Sequence, residues 1–101
     1  MYSKFMFNND ITGCYILRNN NNGKYYVGQS KNVNDRVNKH FPGHGSPDVY
    51  FDYRKGDDIS VMILKLKDTN YDSLNQMERE LIIYYDSYNK GYNKNRGNGV
   101  R

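Results

Sequence analysis

At 101 residues the chain is the size of one domain, large enough to bury a core without covalent staples. Its lone cysteine, Cys14, excludes an internal disulfide, and no apolar run approaches the roughly 20 residues of a membrane span. A formal charge of +4, from 15 Lys and Arg against 11 Asp and Glu, does not by itself separate a polyanion partner from an ordinary solvated surface.

The start of the chain has no apolar leader, so the expectation is a soluble intracellular protein with no membrane partner. Eleven tyrosines and no tryptophan imply a small, partly polar core whose hydroxyls need partners or water. The basic charge gathers at two places, Arg18 to His40 and Lys90 to Arg101, and the acids gather between Asp48 and Asp72. Such a layout suits a polyanion-binding face if the two basic stretches meet in space.

In chain order, residues 1–12 read as a leader whose Phe5 and Phe7 pack on the domain edge. Gly13 to Leu17 reads as a buried strand. Asn19 to Gly23 is a turn, because Asn and Gly tolerate positive φ, and Lys24 to Gly28 returns as the second strand of a hairpin. Ser30 is placed to cap a helix from Lys31 to Phe41, which Pro42 stops. Val33, Val37 and Phe41 form its apolar stripe, and Arg36 and His40 share the neighbouring one.

Ser46-Pro47 has the cap and first-turn proline of a short helix ending at Gly56. Ile59 to Leu66 reads as a third strand, with Ile59, Val61 and Ile63 on one face and Met62, Leu64 and Leu66 on the other. Ser73 with Gln76 fits a capping box for a helix to about Tyr85. Its apolar face comprises Leu74, Met77, Leu81, Ile82, Tyr84 and Tyr85. The prediction is an α+β domain over 13–95, a small three-stranded antiparallel sheet flanked by helices in the order ββααβα, with a basic tail at 96–101.

Glu78 falls in the middle of that last apolar face, with Glu80 at its edge. An ionised carboxylate there is costly unless it meets a cation or hydrogen-bond donors. A hard divalent metal meets that need, and so does a buried ion pair with Arg or Lys. Arg36 and His40 suit a phosphate, by forked donation and proton transfer, and equally suit solvent. His40 and His44 are separated by Pro42 and Gly43, which argues against a zinc site. No glycine spacing matches a phosphate-cradling loop.

Taken in order, Gly13-Cys14-Tyr15, Tyr26-Val27-Gly28, Arg36-x-x-x-His40, Glu78-x-x-Leu81-Ile82 and Gly91-Tyr92-Asn93 resemble the GIY-YIG endonuclease superfamily, in particular the catalytic domains of phage and intron-encoded homing endonucleases. Cys14 and Val27 depart from the usual isoleucines. The family glutamate fits Glu78 better than Glu80, because Glu78 carries the Leu-Ile pattern and calls for a cation on its own account.

The resemblance implies hydrolysis of DNA phosphodiesters, including branched or nicked DNA, with one Mg²⁺ or Mn²⁺. Glu78 would hold the metal, Tyr15 would activate water, and Arg36 and His40 would meet the phosphate. Tyr26 would position water or phosphate, and Tyr25 must face the other way. Gly28, Lys24, Lys31 and Asn93 would support the site or the DNA backbone, with Asn93 more structural than chemical. Few residues remain to read bases, so little sequence preference is expected. A dimer would suit double-strand cleavage, and the oligomeric state stays open. The rival is a nucleic-acid-binding module on the same fold without catalysis.

Overall fold

The computed structural model describes residues 11–39 and 46–97. The expectations for Phe5, Phe7, His40, Phe41, His44 and the last residues of the basic tail lie outside these. In chain order the elements are β1 (Gly13–Asn19), β2 (Tyr25–Ser30), α1 (Val33–Lys39), α2 (Pro47–Arg54), β3 (Ile59–Lys65), a 3₁₀ turn (Leu66–Asp68) and α3 (Leu74–Tyr85). This is the predicted ββααβα order. The three strands form one antiparallel sheet, ordered β2-β1-β3.

The hairpin turn is made by Asn19. Its carbonyl accepts from the Gly23 amide (2.8 Å), and its side-chain Oδ1 accepts from the amides of Asn21 (2.8 Å) and Asn22 (3.2 Å). Gly23 sits at φ +78°, where a side chain would be strained. The register then sets Tyr15 of β1 opposite Gly28 of β2 and Ile63 of β3.

As the central strand, β1 is buried on both faces, which explains its unbroken Cys-Tyr-Ile-Leu run. On one face Tyr15 and Leu17 pack with Val33, Val37 and Val49 from α1 and α2, together with Tyr92. On the other, Cys14, Ile16 and Val27 pack with Met77, Leu81 and Ile82 of α3. Most of the alternation expected for β3 is observed: Ile59, Val61 and Ile63 join the first cluster and Leu64 the second, as does Leu66 just beyond the strand's end at Lys65. Met62, expected with Leu64 and Leu66, is instead 48% exposed, and its sulfur accepts from the Tyr85 hydroxyl (3.9 Å).

Some local expectations need correction. Helix α1 starts at Val33, later than expected, and Asn32 Oδ1 accepts from the Asp35 amide (3.2 Å) at its first turn. Ser30 Oγ instead accepts from the Asn32 amide (2.9 Å), closing the turn out of β2. Tyr84, expected on the apolar face of α3, is 78% exposed: it stands at the edge of that face with its ring edge-on to Tyr85, while Tyr85 itself packs on Tyr25 of β2. Ser73 caps α3 as predicted, its Oγ accepting from the Gln76 amide (3.1 Å), but the return bond of the capping box is shifted by one residue, Gln76 Oε1 accepting from the Asp72 amide.

Candidate active site

Strand β2 is an edge strand, and its outer edge is where the sheet's two faces meet. Its alternation sends Tyr26 and Gly28 to the α1 side, and Tyr25, Val27 and Gln29 to the α3 side. Tyr25 therefore faces away from Tyr26, as expected.

Tyr15 sits on β1, one strand in from that edge. Its ring lies across Gly28: a Cβ on Gly28 would fall 2.3 Å from both the Tyr15 hydroxyl oxygen and its Cζ. The bare glycine is what lets a buried tyrosine of the central strand reach over its neighbour. The Tyr15 and Tyr26 rings are tilted, with centroids 6.2 Å apart.

The Arg36 guanidinium, presented by α1 on an otherwise solvent-facing position, donates a hydrogen bond to the Tyr15 hydroxyl. Tyr15 shares a further hydrogen bond with Tyr26. Burial pushes the Tyr15 pKa well above the ordinary phenol value, with Tyr26 adding to the rise. Arg36 opposes that shift and Glu78 reinforces it. Tyr26 is raised for the same first reason. Near neutrality, then, both hydroxyls are protonated.

Glu78 comes from the other side of the sheet, on α3, and is only 9% exposed. Its Oε1 accepts from Gln29 Nε2 (3.1 Å). A cleft of about 290 Å³ opens along the β2 edge and is lined by Tyr26, Val27, Arg36, Glu78 and Asn93, among others. Glu80 is exposed on the same helix and lies outside that cleft.

Asn93 has a definite structural task. Its Oδ1 accepts from the Val27 amide (2.8 Å) and its Nδ2 donates to the Val27 carbonyl (2.9 Å), so one side-chain amide pairs with the sheet edge as a strand would. The adjacent Tyr92 amide donates to the Tyr25 carbonyl (2.9 Å). Between them these bonds tie the segment after α3 to β2 and cover an otherwise open edge.

The supporting lysines divide. Lys24 Nζ lies 5.7 Å from the centroid of the Tyr92 ring, at the turn end of the hairpin, which brings the two basic stretches together. Lys31 is exposed beyond the far end of β2 and does not line the cleft. Lys94, at the cleft, pairs with Asp48 at 2.6 Å, so part of that basic charge is compensated.

Sequence reasoning missed a polar network behind the cleft. The fully buried Asn19 donates through Nδ2 to Asp57 Oδ2 (2.8 Å) and to the Tyr92 hydroxyl (2.9 Å), and Tyr92 in turn donates to Asp52. These partners lie far apart in sequence, and only the fold brings them together. Gln29 was also missed, although strand alternation from Tyr25 and Val27 points it at α3.

Among the described residues no group of three His, Cys, Asp or Glu could enclose an ion. The arrangement present suits a hard cation of another kind. One buried carboxylate lines an open cleft with hydroxyl and amide neighbours and the cations Arg36 and Lys94, and Mg²⁺ commonly takes one or two carboxylates and keeps several waters.

A family model described as the GIY-YIG catalytic domain matches residues 11–93. Among solved structures, a mutant form of the catalytic domain of intron endonuclease I-TevI aligns with a TM-score of 0.65 and 23% identity. The alignment covers 86% of this chain and 96% of that one, and at this identity the likeness is one of fold. The comparison with curated proteins finds no match.

Proposed function

The chain belongs to the GIY-YIG family and is an endonuclease domain, and from that premise we propose that it hydrolyses DNA phosphodiester bonds with a divalent metal held by Glu78. One observation carries the reading. Arg36, bonded to a Tyr15 that is buried behind the cleft wall and laid across Gly28, lines one edge cleft together with Tyr26 and the buried Glu78.

Phosphodiester hydrolysis is among the slowest uncatalysed reactions, so several stabilising groups must act at once. Arg36 binds a non-bridging oxygen, giving up part of its bond to Tyr15 as the charge on phosphate grows. Tyr15 can take a proton from the attacking water only as the phenolate, after losing its own proton to solvent. That state requires nearby positive charge to offset the burial that keeps the phenol neutral. Tyr26 holds Tyr15 in place through their shared hydrogen bond and lines the cleft wall. What Mg²⁺ or Mn²⁺ supplies when bound to Glu78 is charge neutralisation at the phosphate and at the leaving 3′-oxygen. His40 is kept in its role beside the phosphate on the strength of the family motif alone. Lys24 and Lys31 are assigned to the DNA backbone and Asn93 to the integrity of β2.

The test is incubation of the pure protein with supercoiled plasmid in Mg²⁺ and in excess chelator. The expected result is nicking or linearisation with Mg²⁺ only, and a loss of at least about 100-fold in Arg36→Ala. Binding without metal-dependent cleavage, over a wide range of protein and salt, would favour the non-catalytic module.

A further inference from the structure

Gln29 follows Gly28 on β2 and stands opposite Cys14, on the face that meets α3. Its Nε2 donates to Asn75 Oδ1 (2.9 Å) and to Glu78 Oε1 (3.1 Å). A carboxylate only accepts, so the amide must present its NH₂ to Glu78. Asn75 and Glu78 are three residues apart on one face of α3. Both hydrogens of the Gln29 amide are therefore taken by acceptors of one helix, which fixes its plane. From another side Gly97, at φ +107°, comes so close that a Cβ there would lie 3.4 Å from Glu78 Oε1.

We propose that Gln29 is the positioning residue of the Glu78 carboxylate, holding Oε1 so that the cleft is ready for a divalent cation. The proposal rests on Glu78 being the metal ligand. Its physical core is the neutrality of the donor. An Arg or Lys at this position would also hold the carboxylate, but would neutralise its charge and compete with the cation. An amide supplies a directed N–H and adds no positive charge of its own. Asn75 keeps the amide from rotating away, so the carboxylate meets the ion without having to be ordered first. Hydrogen-bond partners of metal ligands typically contribute 10- to 100-fold to metal affinity.

The direct readout is Mn²⁺ binding, followed by the electron paramagnetic resonance of free Mn²⁺. Wild type, Gln29→Met, Gln29→Lys and Glu78→Ala are compared, with melting curves for each. Gln29→Met keeps the volume and removes the donor, and is expected to weaken Mn²⁺ binding about 10-fold or more. Gln29→Lys keeps a donor but adds a charge. It is expected to melt within a few degrees of wild type, yet to bind Mn²⁺ at least as poorly as Gln29→Met. The Mg²⁺ concentration for half-maximal plasmid cleavage rises in parallel, and excess Mg²⁺ restores cleavage. If Glu78→Ala loses Mn²⁺ while either folded Gln29 variant binds it like wild type, the role of Gln29 is overturned and Glu78 stands. If Glu78→Ala itself binds Mn²⁺ like wild type, the ligand assignment fails and this inference fails with it.

Discussion

At the scale of single residues the site depends on a missing side chain. Gly28 is extended strand backbone, and glycine is needed there for clearance, since the Tyr15 ring occupies the space of a Cβ. Gly28→Ala is expected to push Tyr15 out of line with Arg36. That should reduce cleavage about 100-fold and cost about 1–3 kcal/mol of stability, checked by kinetics and urea unfolding. The buried hydroxyl has a pH signature as well. Its pKa is raised in the folded state, so its contribution to stability is complete below the unfolded value of about 10 and is lost as pH rises above it. Urea midpoints between pH 8 and pH 11 should fall at the alkaline end, and Tyr15→Phe should flatten that fall. Tyr26, Tyr85 and Tyr92 shift in the same direction, so the flattening is partial. Cys14 behaves as a core residue: burial, with Glu78 adding to it, pushes its thiol up to about 12. Iodoacetamide at pH 8 is expected to leave it unmodified until the protein unfolds.

At the scale of elements, the hairpin and α3 were legible because their signals are local. Asn and Gly mark the turn, alternation marks the strands, and Ser73 with Gln76 marks the helix start. The start of α1 was misread because Ser30 and Asn32 both make capping-type bonds, and sequence does not say which of two neighbouring polar residues ends the preceding strand. Tyr84 was misread because it falls at the edge of the apolar face, where helical periodicity does not decide between core and solvent. The edge-capping role of Asn93 was only half visible. Its position after Gly91-Tyr92 suggested a structural residue, but not two bonds to Val27 across 66 positions of sequence. Removing that amide leaves an edge N–H and C=O without their partner. Asn93→Ala is expected to destabilise the fold by about 1–3 kcal/mol in denaturant titrations and to weaken cleavage by loosening β2.

At the scale of the molecule, the sheet separates the two halves of the site. Tyr15, Tyr26 and Arg36 belong to the α1 side, while Glu78 arrives on α3 from the other; Tyr26, Arg36 and Glu78 converge at the β2 edge, with Tyr15 buried behind them. That convergence was not readable from spacing, because Arg36 and Glu78 come from opposite faces of the sheet and share a cleft only around its end strand. The resemblance supplied the set of residues, and the fold supplies the reason that they can act together. The electrostatics also emerge only at this level. The hairpin and the segment after α3 meet where Lys24 lies over Tyr92, while Lys94 is paired with Asp48. DNA binding should weaken steeply with salt, and removing Lys24 should lower the salt slope by about one phosphate contact. The central claim, that the buried carboxylate at the β2 edge holds the catalytic metal, is tested most directly by Mg²⁺-dependent plasmid nicking with Glu78→Ala and Glu80→Ala side by side. Loss of nicking in Glu78→Ala with near wild-type nicking in Glu80→Ala is the predicted result, and loss confined to Glu80→Ala would contradict it.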